Sequence, residues 1–204
     1  MLFGRHRNAV RRGGCSRAEI VRRARAVRLM VFDVDGVLTD GGLYYDANGQ
    51  YAKRFDVQDG LGIKAAQAVG LNLAVITGLD SRAVYNRVSE LDIEEYVAGR
   101  VEKASAFEAI CDRFDVTPEQ AAYVGDDWVD AGPMRLAGLP MAVPNAQPEI
   151  LRLAMHVLSR PGGRGAVREA IRLVLFCQGC LNGELESWRR GEALGRSSSE
   201  GEKS

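Results

Sequence analysis

Apolar residues fall into two kinds of run along the chain. Leu29 to Val34, Leu71 to Ile76, Ala121 to Val124 and Leu139 to Val143 are short stretches with at most one polar residue each. Unbroken apolar runs of that length predict strands buried on both faces, as in a parallel sheet. Tyr96-Val97 and Met155 to Leu158 add two shorter strands. Between these runs the apolar positions spread to helical spacing. The spacing predicts helices over Arg17 to Ala26, Gln58 to Val69, Ser81 to Leu91, Glu102 to Phe114, a stretch ending at Leu136, Ala146 to Leu151 and Ala166 to Phe176. Gly70 is placed to cap the second of these and Ser81 to start the third. Strand and helix alternate with short connections. The expected class is therefore α/β, a Rossmann-like three-layer sandwich around a parallel sheet.

One pair of runs breaks the alternation. Leu43 to Tyr45 and Tyr51 to Phe55 flank Asn48-Gly49, a β-hairpin signal directly after the first strand. The hairpin would project as a flap over that edge of the sheet, too small to cover a site alone.

Composition narrows the partners. Hydrophobic residues make up 46% and charged residues 26% of 204, ordinary for a soluble domain, and the net charge is zero, so no overall field recruits nucleic acid or a membrane surface. Residues 1–28 carry nine arginines against Glu19 alone, which reads as a mobile basic extension and solvated helix rather than a transit peptide. No run approaches the ~18 residues of a membrane span. Cys177 and Cys180 have a CxxC spacing, but without further ligands nearby it is read as packing in a reducing, cytoplasmic setting. From Asn182 onward the chain is polar and is expected to be disordered.

The chemistry gathers at strand ends. The first strand stops on Asp33 and Asp35 before Gly36; the second stops on Thr77-Gly78; the strand at 121–124 runs into Gly125-Asp126-Asp127; and Lys103 opens a helix nearby. Taken singly, each has a plain reading: an Asx turn, a loop, a solvated lysine, a helix cap. Taken together, they match what phosphate-ester hydrolysis requires. Asp33 would be a carboxylate nucleophile, with Asp126 helping it hold a divalent cation of the Mg²⁺ type. Lys103, Thr77 and the Gly78 N–H would meet phosphate oxygens. Asp35 would protonate the leaving oxygen and later activate water.

These motifs, in this order, resemble those of the haloacid dehalogenase superfamily. DVDGVLTDG at 33–41, FDVQDGLGIK at 55–64, YVGDDWVD at 123–130 and GGRGAVRE at 162–169 are similar to its capless branch of 3-deoxy-D-manno-octulosonate 8-phosphate phosphatases. The resemblance implies a nucleophile at Asp33 and an acid–base group at Asp35. It implies phosphate contacts at Thr77 and Lys103, and Mg²⁺ held by Asp33, the Asp35 carbonyl and Asp126, with Asp127 acting through water. Contacts to a phosphorylated sugar acid are implied at Asp35, Asp56, Val57, Gln58, Asp59, Gly60, Lys64, Gly78, Arg87 and Lys103. A homotetramer is implied, in which Arg164 reaches a neighbour's site and the hairpins cover it. On this basis residues 1–26 are an extension, 27–180 a phosphatase domain and 181–204 a tail. Removal of 159–204 is expected to alter turnover without unfolding the core. The family usually has arginine after Thr-Gly where this chain has Leu79, which keeps open another substrate such as a nonulosonate 9-phosphate. A non-catalytic oligomerisation module remains the alternative of a different class.

Overall fold

The computed structural model describes residues 15–192. Six parallel strands form one sheet: β1 (Leu29–Phe32), β4 (Asn72–Ile76), β5 (Glu95–Val97), β6 (Ala121–Gly125), β7 (Leu139–Ala142) and β8 (His156–Val157), in the order β5-β4-β1-β6-β7-β8. β1 pairs with β4 on one side, Val31 opposite Ala74, and with β6 on the other, Val31 opposite Tyr123. All four residues of β1 are buried, as an unbroken apolar strand between two neighbours must be.

The helices are α1 (Arg17–Ala26), α2 (Val57–Ala68), α3 (Arg82–Glu90), α4 (Ala104–Arg113), α5 (Ala131–Leu136), α6 (Pro148–Leu153), α7 (Ala166–Gln178) and α8 (Leu181–Arg189). The chain leaves β1 for β4 and β5, then returns past β1 to β6, β7 and β8. Right-handed crossovers therefore put α2 and α3 on one face and α4, α5 and α6 on the other. The reversal lies between β1 and its neighbours, where open α/β sheets bind ligands. β2 (Tyr44–Asp46) and β3 (Gly49–Ala52) form the hairpin expected around Asn48-Gly49, and the Asn48 N–H donates to Asp46 Oδ1 at 2.7 Å. Its base is tied down where Thr39 bridges Phe55.

Three expectations change. α7 packs against α1 and α2, with Val167, Ile171, Val174 and Leu175 in the core. Deleting 159–204 would therefore strip a core helix and unfold the domain. The chain after Asn182 is helical as far as Arg189, because Leu181, Leu185 and Trp188 share one face and Trp188 Nε1 donates to Glu184 at 2.8 Å. Lys103 is the N-cap of α4 rather than a residue of its first turn. The mobility expected before residue 15 and the disorder expected for 193–204 lie outside the described residues. All four cysteines are free, with Cys177 buried in the core. No described helix is long and apolar enough to cross a membrane.

Candidate active site

Asp33 follows β1 directly, and its N–H donates to Val124 O at 3.0 Å, extending the pairing with β6 by one residue. Its carboxylate thus opens at the C-terminal edge between β4 and β6. Val34–Leu38 make one wide turn, closed by the Thr39 N–H on Val34 O at 2.9 Å. Gly36 sits in that turn at φ +87°, and a Cβ there would lie 2.0 Å from Asp126 Oδ2. Glycine is needed twice over, for the left-handed backbone and for the room that lets Asp126 close on Asp33.

Lys103 reaches in from the start of α4 and is 1% exposed. It donates to Asp33 Oδ1 and to Asp130 Oδ1, each at 2.7 Å. Asp130 also accepts from Tyr123 OH at 2.8 Å and from the N–H groups of Asp126 at 2.8 Å and Asp127 at 3.2 Å. A carboxylate holding four donors is saturated. Asp130 therefore orders the loop and the lysine, and the unsaturated acids are Asp33 and Asp126. Burial, reinforced by Asp130 and opposed by Lys103, pushes the Asp33 carboxyl up. Burial and the charges of Asp33 and Asp130 push Asp126 up. Burial works against the Lys103 ammonium, but Asp33 and Asp130 outweigh it and hold the lysine protonated.

Three acids against one lysine leave an uncompensated negative charge in a buried site. Carboxylate oxygens of Asp33, Asp126 and Asp130 lie within 4.8 Å of one another, and Asp126 Oδ1 is buried without a hydrogen-bond partner. Hard oxygen donors, excess negative charge and an orphaned oxygen fit a divalent cation such as Mg²⁺. Bound there, such an ion would offset the carboxylates and polarise a phosphoryl oxygen.

Across from this cluster, Thr77 is fully buried and its N–H donates to Val97 O at 2.9 Å. The Leu79 N–H donates to Thr77 Oγ1 at 3.3 Å, and nothing lies within 4 Å of where a Gly78 Cβ would stand. The turn after β4 therefore leaves open space at Gly78, with the Thr77 hydroxyl folded back on the Leu79 main chain. Asp35 is one-quarter exposed, and Lys53 Nζ donates to its two oxygens at 2.6 and 2.7 Å.

The glycine-rich segment lies directly on this machinery. Asn145 Nδ2 donates to Gly36 O at 3.1 Å, and Asn145 Oδ1 accepts the Gly162 N–H at 2.9 Å. A Cβ on Gly162 would meet Gly36 O at 1.7 Å, so a side chain would lift the loop off the catalytic turn.

Asp33, Asp35, Thr77, Gly78, Lys103 and Asp126 gather at one edge as expected. Other expected residues have different surroundings. Asp127 is exposed and accepts the Trp128 N–H at 2.7 Å, capping the next turn beside the cluster. Asp59 is buried, accepting the N–H groups of Arg168 at 2.7 Å and Gly165 at 3.2 Å, so it fastens α2 to the start of α7. Burial lifts its carboxyl to about 6 despite those bonds. Lys64 pairs with Asp92 at 2.5 Å. Arg87 pairs with Glu90 at 2.9 Å, and its guanidinium lies over Gly60. Asp56 caps α2 through the Gln58 N–H at 2.7 Å, and Val57 and Gln58 are exposed at that helix start. Arg164 is exposed.

Four contributors went unassigned from sequence: Asp130, Tyr123, Asn145 and Lys53. Asp130 had a signal, an acid four residues after Asp126 at a helix start. Lys53 had none, because only the hairpin's return brings it to Asp35.

The chain matches the family model described as haloacid dehalogenase-like hydrolase over residues 93–171. It is 40% identical over 165 residues to the 3-deoxy-D-manno-octulosonate 8-phosphate phosphatase of Escherichia coli K12, covering 81% of this chain and 88% of that protein. The crystal structure of the Moraxella catarrhalis phosphatase of that name, complexed with magnesium, phosphate and the KDO molecule, superposes with a TM-score of 0.82 at 34% identity, covering 85% of this chain and 99% of that one. The cobalt-bound Haemophilus influenzae phosphatase superposes with a TM-score of 0.75 at 41% identity, covering 77% of this chain and 92% of that one. With the motifs, sheet and acidic cluster in agreement, the chain belongs to the haloacid dehalogenase-like hydrolases, within the family of the 3-deoxy-D-manno-octulosonate 8-phosphate phosphatases.

Proposed function

We propose that this enzyme removes phosphate from 3-deoxy-D-manno-octulosonate 8-phosphate through an aspartyl-phosphate on Asp33, serving lipopolysaccharide synthesis in the cytoplasm. The observation that carries the reading is the clamp of Lys103 on Asp33, beside the orphaned oxygen of Asp126. Lys103 takes Asp33 Oδ1 and leaves the other oxygen to attack phosphorus as the ester P–O bond breaks. Asp35 gives its proton to the departing sugar oxygen. The same carboxylate then takes a proton from water as that water attacks phosphorus, freeing Asp33 and inorganic phosphate. Thr77 and Gly78 donate to phosphoryl oxygens throughout. Asp33, Asp126 and the Asp35 carbonyl would hold Mg²⁺.

The exposed Leu43, Tyr44 and Tyr45 of the hairpin support assembly into a homotetramer, in which hairpins and the Arg164 loop of neighbours shut water from the site. Leu79, 46% exposed on the rim, favours a second reading, another sugar-acid phosphate such as a nonulosonate 9-phosphate. Phosphate release from a panel of sugar-acid phosphates with Mg²⁺ decides. Preference for the octulosonate ester supports the first reading, preference for a nonulosonate ester the second. No turnover on any ester would leave the oligomerisation module.

A further inference from the structure

Lys53 stands at the foot of the hairpin, just past β3. Its side chain is 0% exposed, while Asp35 keeps 25% exposure toward the site. Among the described residues, every hydrogen bond from Lys53 Nζ goes to Asp35, one to each oxygen at 2.6 and 2.7 Å. Asp35 receives one further, long contact, from Thr39 Oγ1 at 3.5 Å. An ammonium taken wholly out of water is costly unless its partner is fixed. Here the partner is the acid–base group itself.

Anchoring the hairpin does not explain this lysine. The hairpin's base is already held by the Thr39 bridge to Phe55 and by Arg54, whose Nη1 donates to Gly163 O and lies 3.9 Å from Asp40. Binding substrate does not explain it either, since the ammonium is turned onto both oxygens of Asp35 and the side chain has no exposure toward the site. What Lys53 can do is set the rotamer of Asp35. The carboxyl follows a kinked turn, with Asp35 at ψ 115° and Gly36 at φ +87°, where the main chain alone does not aim it. Two hydrogen bonds from one buried ammonium fix both oxygens of the carboxylate and so its rotamer.

We infer that Lys53 is a positioning residue for the proton transfer, holding the Asp35 carboxyl in line with the leaving oxygen and so tying the hairpin's seating to that step. The inference deepens the phosphatase reading and rests on Asp35 as its acid–base group.

The test separates proton delivery from the rest of catalysis. p-Nitrophenyl phosphate releases a stable phenolate that needs no proton, whereas a sugar-acid phosphate releases an alkoxide that does. Full-length Lys53→Met is compared with wild type on both esters in Mg²⁺. The expected result is a fall in kcat of about 100-fold on the sugar ester, the scale of a general acid, and under about threefold in the single-turnover release of p-nitrophenolate, which precedes the step in which Asp35 activates water. Lys53→Arg, which restores a paired cation, should recover part of the sugar-ester rate; if Lys53→Met fails to fold, Lys53→Gln is read the same way. Equal losses in the sugar-ester rate and in single-turnover p-nitrophenolate release, or no loss in either, overturn the inference while leaving the phosphatase intact. A wild-type protein inert toward both esters removes both together.

Discussion

The carboxylate of Asp126 rests against the backbone of Gly36, so close that a Cβ there would lie 2.0 Å from Oδ2. Two segments about 90 residues apart in sequence are thereby interlocked at the reacting centre. Gly36→Ala should displace Asp126 and strain a residue at positive φ, costing about 1–3 kcal/mol of stability. The Mg²⁺ concentration for half-maximal activity should rise at least tenfold. A magnesium titration of the rate beside a thermal melt checks this; unchanged metal dependence would show that Asp126 needs no such approach.

Asp33→Asn keeps the shape of the side chain and the contact to Lys103 but removes the anionic oxygen. Turnover should fall by about 10⁴-fold or more, the scale seen when a nucleophile is lost. The variant should still fold, as circular dichroism would show. Undiminished phosphate release would place the nucleophile elsewhere.

Asp130 is a structural hub. Asp130→Ala leaves Tyr123 OH and the Asp126 and Asp127 N–H groups without their acceptor, takes one of the two carboxylates from Lys103, and should cost about 3–5 kcal/mol in urea unfolding. Tyr123→Phe removes one donor from an acid that keeps three, and should cost about 1 kcal/mol. Similar losses for the two variants would contradict this ranking.

Asp59 links α2 to α7 and should show in the pH dependence of stability. Its folded carboxyl lies at about 6 against an ordinary 3.8, chiefly through burial, so the folded state holds the proton more tightly than the unfolded one. Its contribution is fully present below about pH 4, falls as pH rises through about 6 and is flat above, with a span of about 3 kcal/mol at most. Urea midpoints from pH 4 to 7 should follow that slope in the wild type and lose part of it in Asp59→Asn.

Asp33 and Asp126 are raised in the same direction, so metal-free protein should lose further stability toward alkaline pH. A cation that binds the charged carboxylates reverses this by mass action. Millimolar Mg²⁺ should therefore raise the melting temperature more at pH 8 than at pH 5. An equal shift at both values would mean that the acids are not its ligands.

The strands and the residues at their ends were legible because they are local. A buried parallel strand is written as an unbroken apolar run, and a group beside its last residue is carried to the sheet edge whatever the rest of the chain does. Asp33, Thr77 and Asp126 are of this kind. Asp127 and Asp130 show where local reading stops: both follow the same strand in an acid-rich turn, and the turn's geometry points one outward as a cap and the other inward to four donors. The family resemblance implies substrate contacts at Asp59 and Lys64; that in the folded subunit Asp59 also accepts from the start of α7 and Lys64 pairs with Asp92 is not written in local spacing.

By itself the sequence determined the α/β class, the carboxylates at the edge of the sheet and the chemistry they suit, since periodicity and residue type act over a few neighbours. Only the tertiary structure decided that Lys103 clamps Asp33 from 70 residues away, that Lys53 returns along the hairpin to Asp35, and that α7 belongs to the core. Those outcomes depend on which buried charges and apolar faces meet, and a contact between distant segments leaves no trace in the spacing of either one.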